Sequence, residues 1–202
     1  MSVLVSRKAP NFTTSAVLAD GKIENNFQFY DKTKGKYSVL FFYPLDFTFV
    51  CPSELIALDR SIAEFTSRNV EVITVSIDSQ FSHFAWRNTP VSNGGIGPVS
   101  YTMAADTSHE ICRVYGIEHF EENVALRATF IMDQEKTVRA QFVNDLPIGR
   151  SIPEILRTID SLQHFEQHGE VCPMDWQKGA QAMQPTSEGV ASWLQTAYAE
   201  EA

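Results

Sequence analysis

With 202 residues, 44% of them apolar and 20% charged, the chain has the composition of a globular domain with a sizeable core, not of a disordered segment. A net charge of −9 without any basic run argues against nucleic acid or an anionic membrane surface as partner. The apolar stretch within residues 1–8 is too short for a secretory leader and the run 39–45 too short to span a bilayer, so a cytoplasmic protein without a membrane segment is expected.

Asp20-Gly21 is a strong hairpin signal between an extended stretch at 12–18 and a second short one. Residues 37–43, Tyr-Ser-Val-Leu-Phe-Phe-Tyr, read as a fully buried strand. From Pro52 the pattern turns helical: Leu55, Leu58, Ile62 and Phe65 fall on one face, and a first-turn proline is tolerated. Residues 70–77 form a second buried strand and 80–88 a short helix. Residues 89–100, with two prolines and three glycines, are a loop. A short strand at 101–105 and a short helix at 108–115 follow, the latter stopped by Gly116. A hairpin is expected from 127–132 and 137–143 around residues 133–136, then a long amphipathic helix at 152–168 closed by Gly169. This alternation predicts an α/β layer fold with a buried central sheet. Beyond residue 168, Gly179, Pro185 and Gly189 break the periodicity, so 1–168 is read as the domain and 169–202 as a C-terminal arm.

Three cysteines, Cys51, Cys112 and Cys172, without a CxxC pair, argue against a disulfide scaffold, and an all-cysteine zinc site would need a fourth ligand. There is no GxGxxG after a strand and no metal cluster in the sequence, so neither cofactor nor metal is expected. His164 and His168, four apart on one helix, lack a third ligand and read as a solvated face. Cys51 lies where a buried strand meets the helix opened by Pro52. Helix amides and a neighbouring cation favour a thiolate in such a place, although position alone fits an inert buried cysteine equally well. Thr48, three residues earlier, can be brought beside the sulfur by a single tight turn, and Pro44 and Pro52 pin that turn at both ends.

Pro44, Thr48 and Cys51, within Pro-Leu-Asp-Phe-Thr-Phe-Val-Cys-Pro52, match the active-site pattern of peroxiredoxins. Gly-Glu-Val-Cys-Pro173 resembles the resolving-cysteine motif of the typical two-cysteine group. Over nearly its whole length the chain is similar to alkyl hydroperoxide reductase C proteins and thioredoxin peroxidases. The resemblance implies a thioredoxin-like fold, a central mixed sheet flanked by helices, with an arm carrying Cys172. It also implies an obligate homodimer, often a ring of five dimers.

The chemistry it implies begins with Cys51 attacking a hydroperoxide and becoming a sulfenic acid. The partner subunit's Cys172 then condenses with that acid to give an intersubunit disulfide. Thr48 would hold the peroxide, and Arg127, in Leu-Arg-Ala-Thr-Phe130, would supply the cation. Glu54 and Arg150 match positions that orient Arg127. Hydrogen peroxide, organic hydroperoxides and peroxynitrite are the implied substrates, and thioredoxin or a flavin-dependent disulfide reductase the implied electron donor. Read without the resemblance, Arg127 is a surface ion pair and Glu54 an acid at a helix N-terminus.

Ala128 stands where the family usually has Gly. Cys112 matches no motif and reads as structural, and Trp86, in His83-Phe-Ala-Trp86, reads as packing. Gly94-Gly-Ile-Gly97 nearly matches a loop of over-oxidation-prone members, whose C-terminal Tyr-Phe pair falls here on Trp193 and Leu194, with Tyr198-Ala199 a later candidate. Intermediate sensitivity to over-oxidation is expected from that change. Two other functions compete: a chaperone-like holding assembly, which needs neither Thr48 nor Arg127, and a thioredoxin-type disulfide oxidoreductase, against which the missing CxxC counts.

Overall fold

The aromatic and β-branched run after Lys36 forms β3 (Tyr37–Phe42), every residue of which is buried. In the computed structural model, which describes residues 3–198, this strand lies inside a seven-stranded sheet. The other strands are β1 (Thr13–Val17), β2 (Ile23–Gln28), β4 (Val70–Ser76), β5 (Thr102–Ala105), β6 (Arg127–Met132) and β7 (Val138–Asn144). Their order is β2-β1-β5-β4-β3-β6-β7. The pairs β3/β4 and β4/β5 are parallel and the remainder antiparallel, so the sheet is mixed, as expected. The chain divides into two compact units, Met1–Ile152 and Pro153–Ala202, and the whole sheet belongs to the first.

The hairpin signals hold. Gly21 takes φ +86° between β1 and β2, a conformation costly for a residue with a Cβ. At the β6–β7 turn Lys136 is buried and donates to the carbonyls of Thr33 and Lys36, both at 2.7 Å. A one-turn helix that the sequence pattern did not indicate, α1 (Phe29–Lys32), precedes β3. The core is aromatic: Phe42, Tyr115 and Phe130 pack with ring centroids 5.0–5.8 Å apart. Truncating one of these rings to alanine costs about 3–5 kcal/mol.

The helix expected from Pro52 onward is two helices, α2 (Cys51–Arg60) and α3 (Ile62–Ser67). Ser61 N–H bonds to Leu58 O, tightening the end of α2, and Ser61 leaves helical geometry at φ −102°, ψ 3°. The break turns the buried face: Leu55, Leu58 and Phe65 are buried, Ile62 only in part. Next come α4 (Gln80–Asn88), capped by the Ser79 hydroxyl accepting from Ser82 N–H, and α5 (Glu110–Val114). The start of α5 lies two residues later than the pattern indicated, because the Asp106 carboxylate accepts from the N–H groups of Ile111 and Cys112 and His109 before them is left-handed at φ +60°.

Helix α6 (Ile152–His168) runs into the second unit, where Trp176 is buried and donates through Nε1 to Ala180 O at 3.0 Å. A second helix there, α7 (Ser187–Ala197), lies in the arm where the sequence periodicity is broken. Its cap is Thr186, whose hydroxyl accepts from Gly189 N–H. Gly189 is not a breaker: a Cβ at this position would lie 2.5 Å from Gln184 O, so glycine is what lets residue 184 rest on the first turn. Trp193 Nε1 donates to Gln181 O at 3.3 Å, whereas of the later candidate pair only Tyr198 is described, Ala199 lying outside the described residues. Among the described residues no helix is long and apolar enough to cross a membrane.

Candidate active site

Register brings the site together. Antiparallel pairing sets Phe41 of β3 opposite Thr129 of β6, so Arg127, two residues earlier on β6, arrives level with the C-terminal end of β3. That is the end from which the chain turns through residues 43–50 into α2, and the mouth beyond the carboxyl ends of parallel strands is where α/β sheets place ligands. On the other flank Arg127 pairs with Asn144 of β7, so the loop that follows β7 also comes to this end. Leu146 O from that loop accepts from Arg127 Nε, and Arg150 enters behind it.

Cys51, the first residue of α2, is wholly buried. Arg127 Nη1 lies 3.4 Å from its sulfur and 2.8 Å from Glu54 Oε2, donating to both. Glu54, one turn into α2, also accepts from Arg150 at three places: Nε at 3.0 Å, Nη2 at 2.9 Å and the backbone N–H at 2.8 Å. Arg150 completes its donors at Ala128 O and Thr129 Oγ1 and lays its guanidinium over the Phe41 ring. Ala128 is buried and still offers its carbonyl, so the methyl group in place of hydrogen leaves this contact intact.

Burial works to raise the Glu54 carboxyl, and the hydrogen bonds and charges of Arg150, with Arg127 behind, outweigh it and hold the group below its ordinary value. Burial pulls Arg150 below its ordinary value against the opposing pull of Glu54. Two guanidinium groups thus share one carboxylate, leaving one positive charge in excess beside the Cys51 sulfur. Arg127, which read alone suggests a surface ion pair, is instead paired with Glu54 in a buried contact, both side chains being 5% exposed.

The turn carries the other expected residues. Pro44 is buried at the end of β3, and Thr48 is half-buried with its hydroxyl donating to Leu45 O at 2.9 Å. Beneath the turn lies a polar group that sequence reasoning missed. The Asp46 carboxylate, almost fully buried, accepts from Tyr43 Oη and Ser82 Oγ at 2.7 Å each and faces His83 Nδ1 at 2.8 Å. His83 is thus a hydrogen-bonding residue, while Trp86 packs against Phe47 and Tyr43 and donates to Gly94 O. The only hint in the sequence was an acidic residue set among apolar ones in the Pro44–Pro52 stretch.

The remaining cysteines have different surroundings. Cys112, buried in α5, has its thiol pushed up to about 12 by burial and by the Asp106 charge beside it. Its sulfur, His109 and Glu118 form a cluster with metal-ligand atoms in reach of one another, but Glu118 already receives Arg113 and His109. Cys172, in the second unit, is half-buried with its thiol directed at Ser161 O, 3.7 Å away. Burial raises this thiol as well, and Val171 beside it forms a two-bond bridge with Met183. His164 is 2.9 Å from Glu170, and its ring lies 4.6 Å from that of His168 at a tilt and 4.9 Å from that of buried Trp176, so it is a partly buried paired group and not the solvated one expected.

Comparison with known proteins bears on this geometry. Residues 5–141 match the model of the AhpC/TSA family, and residues 161–196 that of the C-terminal domain of 1-Cys peroxiredoxin; the second match includes Cys172. The chain is 51% identical to alkyl hydroperoxide reductase C of Buchnera aphidicola subsp. Baizongia pistaciae, across 96% of this chain and 97% of the relative. It is 49% identical to alkyl hydroperoxide reductase C of Helicobacter pylori, across 95% and 96%. Among solved structures it resembles reduced 2-Cys peroxiredoxin of Plasmodium vivax, with a TM-score of 0.92, 45% identity, and 96% of this chain and 100% of that one covered.

Proposed function

The chain belongs to the AhpC/TSA family of peroxide-reducing enzymes, with a thioredoxin-like fold, and on that premise we propose that Cys51 is the sulfur that attacks the hydroperoxide. The observation that carries this reading is the Arg127 N–H donated to the Cys51 sulfur at 3.4 Å, inside a site holding one cation in excess. In the reaction the thiolate forms an S–O bond as the O–O bond breaks, leaving sulfenic acid and an alkoxide or hydroxide that takes up a proton. Ionising Cys51 balances the excess charge, and as charge moves to the leaving oxygen, Arg127 offers a donor aimed at the same small volume. The Thr48 hydroxyl, its proton given to Leu45 O, leaves its oxygen to accept from the peroxide O–H. Glu54 and Arg150 hold the Arg127 fork in place, and Pro44 closes the strand end against which the peroxide lies.

The second half of the cycle uses the partner subunit's Cys172. Its thiol condenses with the Cys51 sulfenic acid, releasing water and forming an intersubunit disulfide. An external dithiol, thioredoxin or a flavin-dependent disulfide reductase, then returns both thiols. Supporting this is the Cys172 setting, a partly exposed thiol fastened by one long hydrogen bond, easily released. The assembly implied is a homodimer, further built into a ring of five dimers, and a holding activity toward other proteins is a secondary role of that assembly. The domain is taken as residues 1–168 and the Cys172-bearing arm as 169–202. Peroxide consumption by wild type and by Cys51→Ser tests the proposal: normal consumption by the variant rejects the thiol mechanism.

A further inference from the structure

The buried polar group under the turn has no part in the chemistry described so far. Its centre is Asp46, whose two carboxylate oxygens meet three side chains from two other elements: Tyr43 at the end of β3, and Ser82 and His83 on α4. The backbone N–H of Asp46 donates to Asp78 Oδ2 at 2.8 Å, and Ser76 Oγ donates to the same oxygen at 2.7 Å. His83 is tied on its far side to Ala104 O of β5 at 3.3 Å. Through Asp46 the turn is therefore fastened to β3, β4, β5 and α4 at once. Burying a carboxylate is expensive unless its lone pairs are filled, and here they are.

What lies just beyond Asp46 gives this fastening a direction. Phe47 has φ +53°, unfavourable for a bulky side chain, and its ring packs on Trp86 at 5.7 Å. Such a residue persists only where its surroundings over-determine it. The strained residue sits between Asp46 and Thr48, so the hydrogen bonds on one side and the ring contact on the other set the direction in which the chain leaves toward Thr48. The Thr48 hydroxyl is turned to Leu45 O, on the residue before Asp46, which closes the loop on itself. Asp46 is thereby joined to the Thr48 oxygen by two short routes, the Phe47 backbone on one side and Leu45 O on the other.

We infer that Asp46, held by His83, Ser82 and Tyr43, is a positioning residue that aims the Thr48 oxygen at the peroxide. This rests on the reading of Thr48 as the residue that accepts from the peroxide. Asp46→Asn keeps the volume but removes the charge and one of the two acceptor oxygens, so the contacts that fasten the turn weaken.

Two rates, measured in a Cys172→Ser background where the reaction stops after one oxidation, test it. One is Cys51 oxidation by hydrogen peroxide, which needs the peroxide placed; the other is Cys51 alkylation by iodoacetamide, which does not. Asp46→Asn is expected to slow oxidation about tenfold to a hundredfold, the scale of a misplacement near an ångström, and to leave alkylation within about twofold. Combined with Thr48→Val it should add no more than about twofold to the effect of Thr48→Val alone, because both act through one atom. Unchanged oxidation in Asp46→Asn, slowdowns that multiply in the double variant, or alkylation falling in parallel would each overturn the inference. If Thr48→Val by itself oxidises at the parent rate, the reading of the site fails first, and the inference with it. If Asp46→Asn does not unfold cooperatively, His83→Gln replaces it with the same pattern required.

Discussion

Cys51 and Cys112 are both fully buried, and each stands in the first turn of a short helix. Around Cys51 the nearest charged group is a guanidinium that donates to the sulfur, with a second guanidinium behind the shared Glu54. Around Cys112 it is the Asp106 carboxylate, which caps the helix through the Cys112 N–H and with burial pushes the thiol up to about 12. Helix position and depth are thus alike in the two pockets, and the sign of the neighbouring charge differs. A cation beside a buried cysteine favours its thiolate, and the cation beside Cys51, Arg127, comes from a distant strand by way of sheet register.

The largest expected effect separates the two pockets outright. Cys51→Ser should abolish peroxide consumption with the fold intact, since oxygen for sulfur changes little volume but removes a soft, ionisable nucleophile. Cys112→Ser should consume peroxide at the wild-type rate. A steady-state assay of both decides the comparison, and activity surviving in Cys51→Ser would reverse it.

Cys172→Ser sharpens it from the side of the disulfide. It should still be oxidised once, because nothing around Cys51 has changed, but should not turn over with a dithiol protein. The disulfide-linked dimer should vanish from non-reducing gels. Persistence of that band would make Cys112 or a second Cys51 the partner, against the raised thiol and complete burial of Cys112.

Arg127→Ala comes next. Losing one charged donor at a developing oxyanion costs about 2.7–4 kcal/mol, roughly a hundredfold to a thousandfold in rate. The second-order rate of Cys51 oxidation measures it, and a change of less than about threefold would remove Arg127 from the chemistry.

How much of this was legible beforehand follows the range over which each feature is determined. The buried strand, the Asp20-Gly21 hairpin and the Pro52 helix start are local, and the sequence pattern located them. The ends were less certain: Ser61 splits the expected helix through a single backbone angle that no periodicity records. Helix α7 was hidden because Gly189 looks like a breaker until Gln184 is seen to need its missing side chain. Within the site, Cys51, Thr48 and Pro44 share one motif, whereas Arg127 alone reads as a surface ion pair, and only the β3/β6 register shows why it is buried against sulfur. Asp46 gave no signal of its buried network because its partners are Tyr43, just past β3, and two residues of α4, up to 37 positions away.

The smallest effect is expected at the carboxylate that makes the Cys112 pocket what it is. Asp106→Asn keeps an acceptor for one of the two helix N–H groups and loses the charge, so it should cost about 0.5–2 kcal/mol, the scale of a helix cap. The cost should depend on pH with a definite sign. Burial, opposed by the two N–H bonds, holds the folded Asp106 carboxyl above its ordinary value of 3.8. Its proton is therefore bound more tightly in the folded chain, and the stability this brings is complete below that ordinary value and is lost as pH rises through the raised one. The variant has no such proton, so its deficit against wild type should be widest near pH 3 and narrow toward pH 7. Denaturant midpoints at three or four pH values measure this, and a deficit that widens with pH would mean that the carboxylate is net stabilised in its pocket. Throughout, Cys51 oxidation should stay within about twofold of wild type, and iodoacetamide should leave Cys112 unlabelled in both proteins. Removing the charge withdraws only the second cause of the raised thiol, while burial, the larger one, remains.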